Sequence, residues 1–303
     1  MEVVMSAKMK LLVGYDGSSC ADCALDDLQR AGLPREAEAV VLSVAELWLA
    51  PPSVRQSVKS GIVEPVAAGV KPALHTEDAL EEAHALSIRA SERLKSHFAA
   101  WEVFAEAASG SPAREILKKA NEWKPDLIVL GCQGKSGLGR FLLGSVSQKV
   151  ANEAHCSVRI ARGTAWKNGA PVRIVIGLDG SPGSQATAAA VALRAWPMGS
   201  EARIIAVEDP GRPVEVNQQE GRAWVREFVE AAAKQLRAAE LAVSCKIETG
   251  DPKQIIIIDA EEWGADCIFL GSSSLNNGAR NYTLGSVATA VVARAHCSVE
   301  IVR

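Results

Sequence analysis

"DLIVLGCQGKSGLGRFLLGSV", Asp126 to Val146, runs from an apolar stretch through a glycine loop into the start of a helix. The part "DLIVL" lacks a helical period and is apolar throughout, as a strand covered on both faces of a parallel sheet would be. Gly131, Gly134 and Gly144 then fall at the strand end, inside the loop and just before "SVSQKVANEA", Ser145 to Ala154. Strand, glycine loop and helix start together present backbone N–H groups to an anion. Glycine suits such a loop because it lacks a Cβ and tolerates positive φ. Ser145 stands where an N-cap hydroxyl would face the ligand. The alternative reading is a turn whose glycines only shape the chain.

Outward from this stretch, the chain is written twice. "KLLVGYDGSS" (Lys10 to Ser19) returns as "RIVIGLDGSP" (Arg173 to Pro182), and "SGSPAREIL" (Ser109 to Leu117) as "TGDPKQIII" (Thr249 to Ile257). "EWKPDLIVLG" (Glu122 to Gly131) returns as "EWGADCIFLG" (Glu262 to Gly271), and "AHCSVRI" as "AHCSVEI", each after a "GSV". Gly110 and Gly131 stand as far apart as Gly250 and Gly271. The duplication places one domain over 1–162, a polar junction "GTAWKNGAP" over 163–171, and a second domain over 172–303. Within each copy, short apolar runs alternate with amphipathic segments such as "LEEAHALSIRASERLKSHF". Ser111-Pro112 and Asp251-Pro252 read as an N-cap followed by the first helical residue. The order β-α-β-α-β-α-β-α-β predicts an α/β fold: two tandem doubly wound domains, each a five-stranded parallel sheet with helices on both faces. The first copy carries an insertion from Glu46 to Asp78, rich in proline and valine, of a length that suits a lid or packing arm.

Composition narrows the function. The chain has 303 residues, 48% apolar and 23% charged, as soluble globular proteins do. A net charge of −3 gives no basic field for nucleic acid or an acidic membrane surface. No apolar run approaches the ~20 residues that span a bilayer, and no h-region or cleavage site precedes the first strand. A cytoplasmic location is the expectation, with the seven cysteines as reduced thiols.

Two familiar phosphate motifs fail on spacing. A P-loop needs a glycine where Val129 stands, and the dinucleotide fingerprint needs glycines that "GYDGSS" does not supply. The pattern present, G-x2-G-x9-G-S over Gly131, Gly134, Gly144 and Ser145, resembles the ATP-binding signature of the universal stress protein family. Asp16 and Asp179, each ending a first strand, strengthen the resemblance, which covers nearly the whole chain as two copies. It implies the adenine nucleotide alpha-hydrolase-like fold of that family and ATP, with Mg2+ or Mn2+, as ligand. It further implies that Asp16 contacts the ribose or adenosine edge. Val44 would offer backbone groups to adenine, and Gly131, Gly134, Gly144 and Ser145 would hold the phosphates. Lys135 and Arg140 would add charge, or are simply solvated. It implies that the last strands, "CSVRIAR" and "CSVEIVR", pair antiparallel in an intrachain pseudo-dimer, and it leaves a homodimer open. The function expected is a nucleotide-dependent stress-response or regulatory module. A slow ATPase or adenylate-handling enzyme using the same pocket is the alternative, although no nucleophile–base–acid set is visible.

In the second copy Asp179, Gly271, Gly285 and Ser286 remain, but Ser274 replaces the second glycine and the loop is one residue longer. A Cβ at a position that needs positive φ costs energy, so this site is expected to be weakened, altered or absent, with Gly278 a partial rescue. Cys20 and Cys23, at a helix start that favours thiolate, suggest a redox pair, with Cys132 near. Gly183 and Ala186 stand opposite them in the repeat, which favours small-residue packing instead. His155-Cys156 and His296-Cys297 open the last strands, where adjacent side chains point to opposite faces, so buried cysteines rather than metal ligands are expected. His75, His84 and His97 show no partner spacing.

Overall fold

The computed structural model describes residues 8–46, 76–134, 143–163, 169–209, 218–272 and 284–303. The first copy contributes β1 (Met9–Gly14), α1 (Ser19–Asp27), β2 (Ala37–Glu46), α2 (Thr76–His97), β3 (Glu102–Gly110), α3 (Pro112–Trp123), β4 (Leu127–Gly131), α4 (Ser145–Glu153) and β5 (Ser157–Ala161). The second contributes β6 (Arg173–Leu178), α5 (Pro182–Ala192), β7 (Glu201–Glu208), α6 (Gln218–Ala238), β8 (Ala242–Thr249), α7 (Pro252–Trp263), β9 (Cys267–Gly271), α8 (Ser286–Arg294) and β10 (Ser298–Val302). A 3-10 turn, Leu28–Arg30, follows α1. The predicted α/β architecture is present in both copies. Among the described residues no helix is long and apolar enough to cross a membrane.

Local sequence explains the helix boundaries. Ser18 caps α1 by accepting from Ala21 N–H, and Ser181 caps α5 by accepting from Ser184 N–H. Asp251 caps α7 through Lys253 N–H ahead of Pro252, whereas Ser111 occupies the same place before Pro112 without a side-chain bond. Gly264 ends α7 in the left-handed region at φ 68°, and Lys124 ends α3 there at φ 54°.

The strands form one ten-stranded sheet in the order β3-β2-β1-β4-β5-β10-β9-β6-β7-β8. Each copy supplies five parallel strands, and the copies meet through β5 and β10, which run antiparallel. In that pair Ile160 faces Val299, Arg159 faces Glu300 and Val158 faces Ile301. Side chains alternate across a strand, so the seam has two unlike faces. On one face Val158, Ile160, Val299 and Ile301 belong to a single apolar core that also holds Leu12 and Ile128 of the first copy and Val175 and Ile268 of the second. On the other face each copy has its own core, under α1 and α2 or under α5 and α6.

A buried charge network fills the seam on this second face. Arg159 donates through Nε to Asp27 at 2.6 Å and through Nη1 to Glu300 at 3.2 Å. Arg30 donates to Asp27 at 2.8 Å and to the Arg162 carbonyl at 2.8 Å. Arg194, from the second copy, pairs with Glu300 and donates to the Ala31 carbonyl at 2.7 Å. Ser298 donates to Asp27 at 2.7 Å. Arg159 is fully buried, and burial alone would push the Asp27 carboxyl up. The adjoining Arg159 and Arg30 guanidiniums, with the Ser298 hydroxyl, outweigh that and hold it below the usual carboxylate range.

Candidate functional site

β1 pairs with β2 on one side and β4 on the other, so the strand order reverses between β1 and β4. Open α/β sheets place ligands at the carboxyl ends beside such a switch point. Asp16 follows β1 and Gly131 closes β4, which brings both to that place.

The turn after β1 is held from within. Asp16 Oδ1 accepts from Ser18 N–H at 3.0 Å, and Ser18 in turn caps α1. Gly17 between them has φ 77°, and a Cβ there would come within 2.9 Å of Leu86 in α2. The positive φ is what calls for glycine here, since the Leu86 methyl is the movable end of a side chain. The other carboxylate oxygen of Asp16 faces Gly134: a Cβ added at Gly134 would stand 2.9 Å from Oδ2. Two residues far apart in the chain thus meet edge to edge, and this contact needs the folded sheet.

Gly131 has a different neighbour. A Cβ there would lie 2.6 Å from the Cys20 carbonyl oxygen and 2.7 Å from its carbon, so the end of β4 lies directly against the first turn of α1. Backbone packing by itself requires this glycine. Gly144 donates to the Cys132 carbonyl at 2.8 Å, and a Cβ on it would meet that oxygen and Gln133 Cα at 3.3 Å. The loop ends Gly131–Gly134 and Gly144 are therefore in mutual contact.

The expected capping role of Ser145 is corrected. Gly144 holds the N-cap position with extended backbone, and Ser145 is the first helical residue, exposed. A glycine cap offers no side-chain acceptor, so α4 begins without a side-chain cap bond. Ser147, which sequence reading passed over, ties α4 to the strand end by donating to the Gly131 carbonyl at 2.7 Å. Its periodic place one turn into the helix was the available signal.

Val44 lies in β2 opposite Ala108 of β3, half-buried against the shared core. The β1 ladder ends at Leu42, joined there by Tyr15 N–H, while the β3 ladder continues to Glu46. Val44 is thus past the end of β1, on the side of the switch point. Lys135 and Arg140 lie outside the described residues, as do 47–75 of the insertion; its first residue, Glu46, ends β2, and its last three open α2.

The second copy repeats the scaffold. Asp179 Oδ1 accepts from Ser181 N–H at 3.0 Å, and a Cβ at Gly271 would lie 2.4 Å from Gly183 carbon. Gly285 caps α8 and Ser286 is its first helical residue, the same arrangement as Gly144 and Ser145 in the first copy. Ser274 and Gly278 lie outside the described residues.

Burial pushes the thiols of Cys20 and Cys23 up, against the expected effect of a helix start. The Cys20 and Cys132 sulfurs lie 3.6 Å apart, as the expected nearness of Cys132 required. Cys297 is buried, and Cys156 is half-buried with its thiol pushed up to about 11 by burial. The antiparallel register puts His155-Cys156 and His296-Cys297 at opposite ends of the seam. His84 is exposed, His97 lies 3.5 Å from Asp26, and His75 is outside the described residues. Among the described residues no group of three His, Cys, Asp or Glu could hold a metal ion. A concavity of about 340 Å3, lined from Arg114 in α3 to Glu153 in α4, involves none of the candidate residues.

Comparison with known proteins agrees with this arrangement. The chain is 35% identical to universal stress protein YxiE of Bacillus subtilis over 155 residues, half of this chain and 98% of that one. It is 29% identical to universal stress protein Rv2005c of Mycobacterium tuberculosis over 215 residues, 66% of this chain and 69% of that one. A crystal structure of a universal stress protein from Archaeoglobus fulgidus superposes with a TM-score of 0.66 over 97% of this chain and 96% of that one, at 22% identity. The profile of the Universal stress protein family matches twice, at residues 9–162 and 172–303. With its repeated sheet, its paired Asp turns and these two matches, the chain belongs to the universal stress protein family.

Proposed function

We propose that the first copy binds ATP at the β1–β4 switch point and that the chain works as a nucleotide-dependent regulatory module. The observation that carries this reading is the meeting of Asp16 Oδ2 with Gly134, where a side chain would fill the space between carboxylate and loop. Asp16 supplies an acceptor suited to ribose hydroxyls. The amino end of α4, capped by glycine alone, supplies N–H donors suited to phosphate. Val44, past the end of the β1 ladder, is placed to offer backbone groups to a base. The site fits a divalent cation arriving with the nucleotide: one carboxylate beside phosphates is an ordinary magnesium environment. Such a cation would screen phosphate charge beside Asp16, leaving positioning to Asp16, Gly134 and Gly144.

The test is nucleotide retention. The purified chain is equilibrated with ATP and Mg2+, freed of unbound nucleotide, denatured, and the released nucleotide is measured per chain. About one equivalent is expected for a single competent site, falling sharply in Gly134→Val. Two equivalents would assign a working site to the second copy as well. No retained nucleotide, with none detected by calorimetry, would overturn the reading.

A further inference from the structure

We propose that Cys20 and Cys132 are a peroxide-sensitive dithiol that forms a disulfide across the base of the candidate nucleotide loop. Their sulfurs lie 3.6 Å apart, and both side chains are half-buried, within reach of a small oxidant. The backbones are already in contact beside them, since Gly131, next to Cys132, lies against the Cys20 carbonyl. Side-chain rotation has then only to shorten the sulfur separation to a bonded distance of ~2.05 Å. Cys267 and Cys297 are buried, so a small oxidant reaches the half-buried Cys20 and Cys132 more readily than either of them. The second copy serves as an internal contrast: Gly183 and Ser272 occupy the equivalent places, and no bridge is available there.

The chemistry balances with hydrogen peroxide as the oxidant. One thiolate attacks a peroxide oxygen; the O–O bond breaks, giving a sulfenic acid and, after proton uptake, water. The second thiol then attacks the sulfenic sulfur, the S–O bond breaks, and a second water leaves as the S–S bond forms. Two electrons pass from the two sulfurs to the peroxide. An external thiol such as dithiothreitol returns them and restores the pair.

The bridge acts on the loop through Cys132, whose carbonyl holds Gly144 N–H at 2.8 Å. Because the end of β4 is already against α1, the sulfur displacement falls on Cys132 and on that hydrogen bond. Oxidation therefore loosens the grip on nucleotide, a consequence that rests on the proposed ATP site, whereas the bridge itself does not.

The experiment treats the full chain with hydrogen peroxide, alkylates the remaining thiols, and maps the non-reduced digest by mass spectrometry. A peptide linked through Cys20 and Cys132, two hydrogens lighter than its parts, is expected, and it should vanish in Cys20→Ala and Cys132→Ser. Ser272 shows that this strand end accepts serine. Cys23→Ser should leave the bridge intact. Recovery of both cysteines alkylated, or of a Cys20–Cys23 link instead, overturns the proposal. In parallel, retained ATP is measured before and after peroxide, and the bridge should bring a loss that dithiothreitol reverses. A bridge with unchanged retention overturns the coupling. A bridge in a chain that retains no ATP when reduced overturns the coupling too, and locates the failure in the binding assignment.

Discussion

Gly131 and Gly134 stand three positions apart in one motif, yet a side chain at each would meet a different kind of neighbour. At Gly131 the obstacle is main chain, the Cys20 carbonyl at 2.6 Å, which cannot move without displacing α1. At Gly134 it is the end of the Asp16 side chain at 2.9 Å, which can turn aside. Gly131→Ala is therefore expected to destabilise the fold by about 2 kcal/mol, as overpacking does. Gly134→Ala should cost less than about 1 kcal/mol while weakening ATP retention, because it displaces the Asp16 carboxylate. Urea unfolding beside nucleotide release separates the two; equal stability losses would count against this division. Lys124 offers a gain by the same reasoning. It ends α3 at φ 54°, where its repeat partner is Gly264 at φ 68°. Lys124→Gly removes a strained Cβ and is expected to stabilise by up to about 1 kcal/mol, read as a rise in urea midpoint.

The element that joins the copies is the β5–β10 ladder, and its buried charges fix which sign belongs on which strand. Glu300 faces Arg159 and also takes Arg194, while Arg159 also takes Asp27. Glu300→Gln leaves two buried guanidiniums short of charge and should cost about 3 kcal/mol or more in urea unfolding. Exchanging the pair, as Arg159→Glu with Glu300→Arg, keeps one attraction but sets a carboxylate beside Asp27 and a guanidinium beside Arg194. The exchange is thus expected to be less stable than Glu300→Gln, and recovery to wild-type stability would falsify this account. Asp27 adds a pH dependence. Its carboxyl is held below the usual range in the folded chain, so its stabilisation is complete above the unfolded value of about 3.9. It is lost as pH falls through the lower folded value. Asp27→Asn should be less stable than wild type at pH 7 and lose less stability between pH 5 and pH 2.

For the whole molecule, one sheet and one apolar core run through both copies on the face that carries Val158 and Ile301. Separating the copies would expose that core and strand the buried charges of the opposite face. Thermal unfolding followed by circular dichroism and by calorimetry is expected to show one transition for both copies; two resolved transitions would mean that the seam is weaker than the cores. Nucleotide occupancy belongs to the same scale, since a ligand that binds only the folded chain raises its midpoint. The rise with ATP should be absent in Gly134→Val.

Much of this was legible in the chain because it is written twice and because its signals are local. Apolar runs and the Ser-Pro and Asp-Pro starts act through neighbouring residues, so periodicity and helix starts yielded the strands and helices of both copies. The repeated DGS turn is likewise local, each Asp accepting from the N–H two residues on. The identity of the cap before α4 escaped because "GS" permits either residue, and only the backbone path selects Gly144. The Arg159–Glu300 polarity was present as the one difference between "CSVRIAR" and "CSVEIVR" that alters charge within the strands. Its meaning required the antiparallel register together with Asp27 and Arg194, which reach the seam from other elements. The sequence by itself determined the duplicated α/β elements, since short-range dihedral and burial preferences are written along the chain. The tertiary structure decided which glycine packs and which faces Asp16, where two sulfurs meet, and how the charges cross the seam. Those depend on distances between residues far apart in the chain, and only closure of the sheet brings them together.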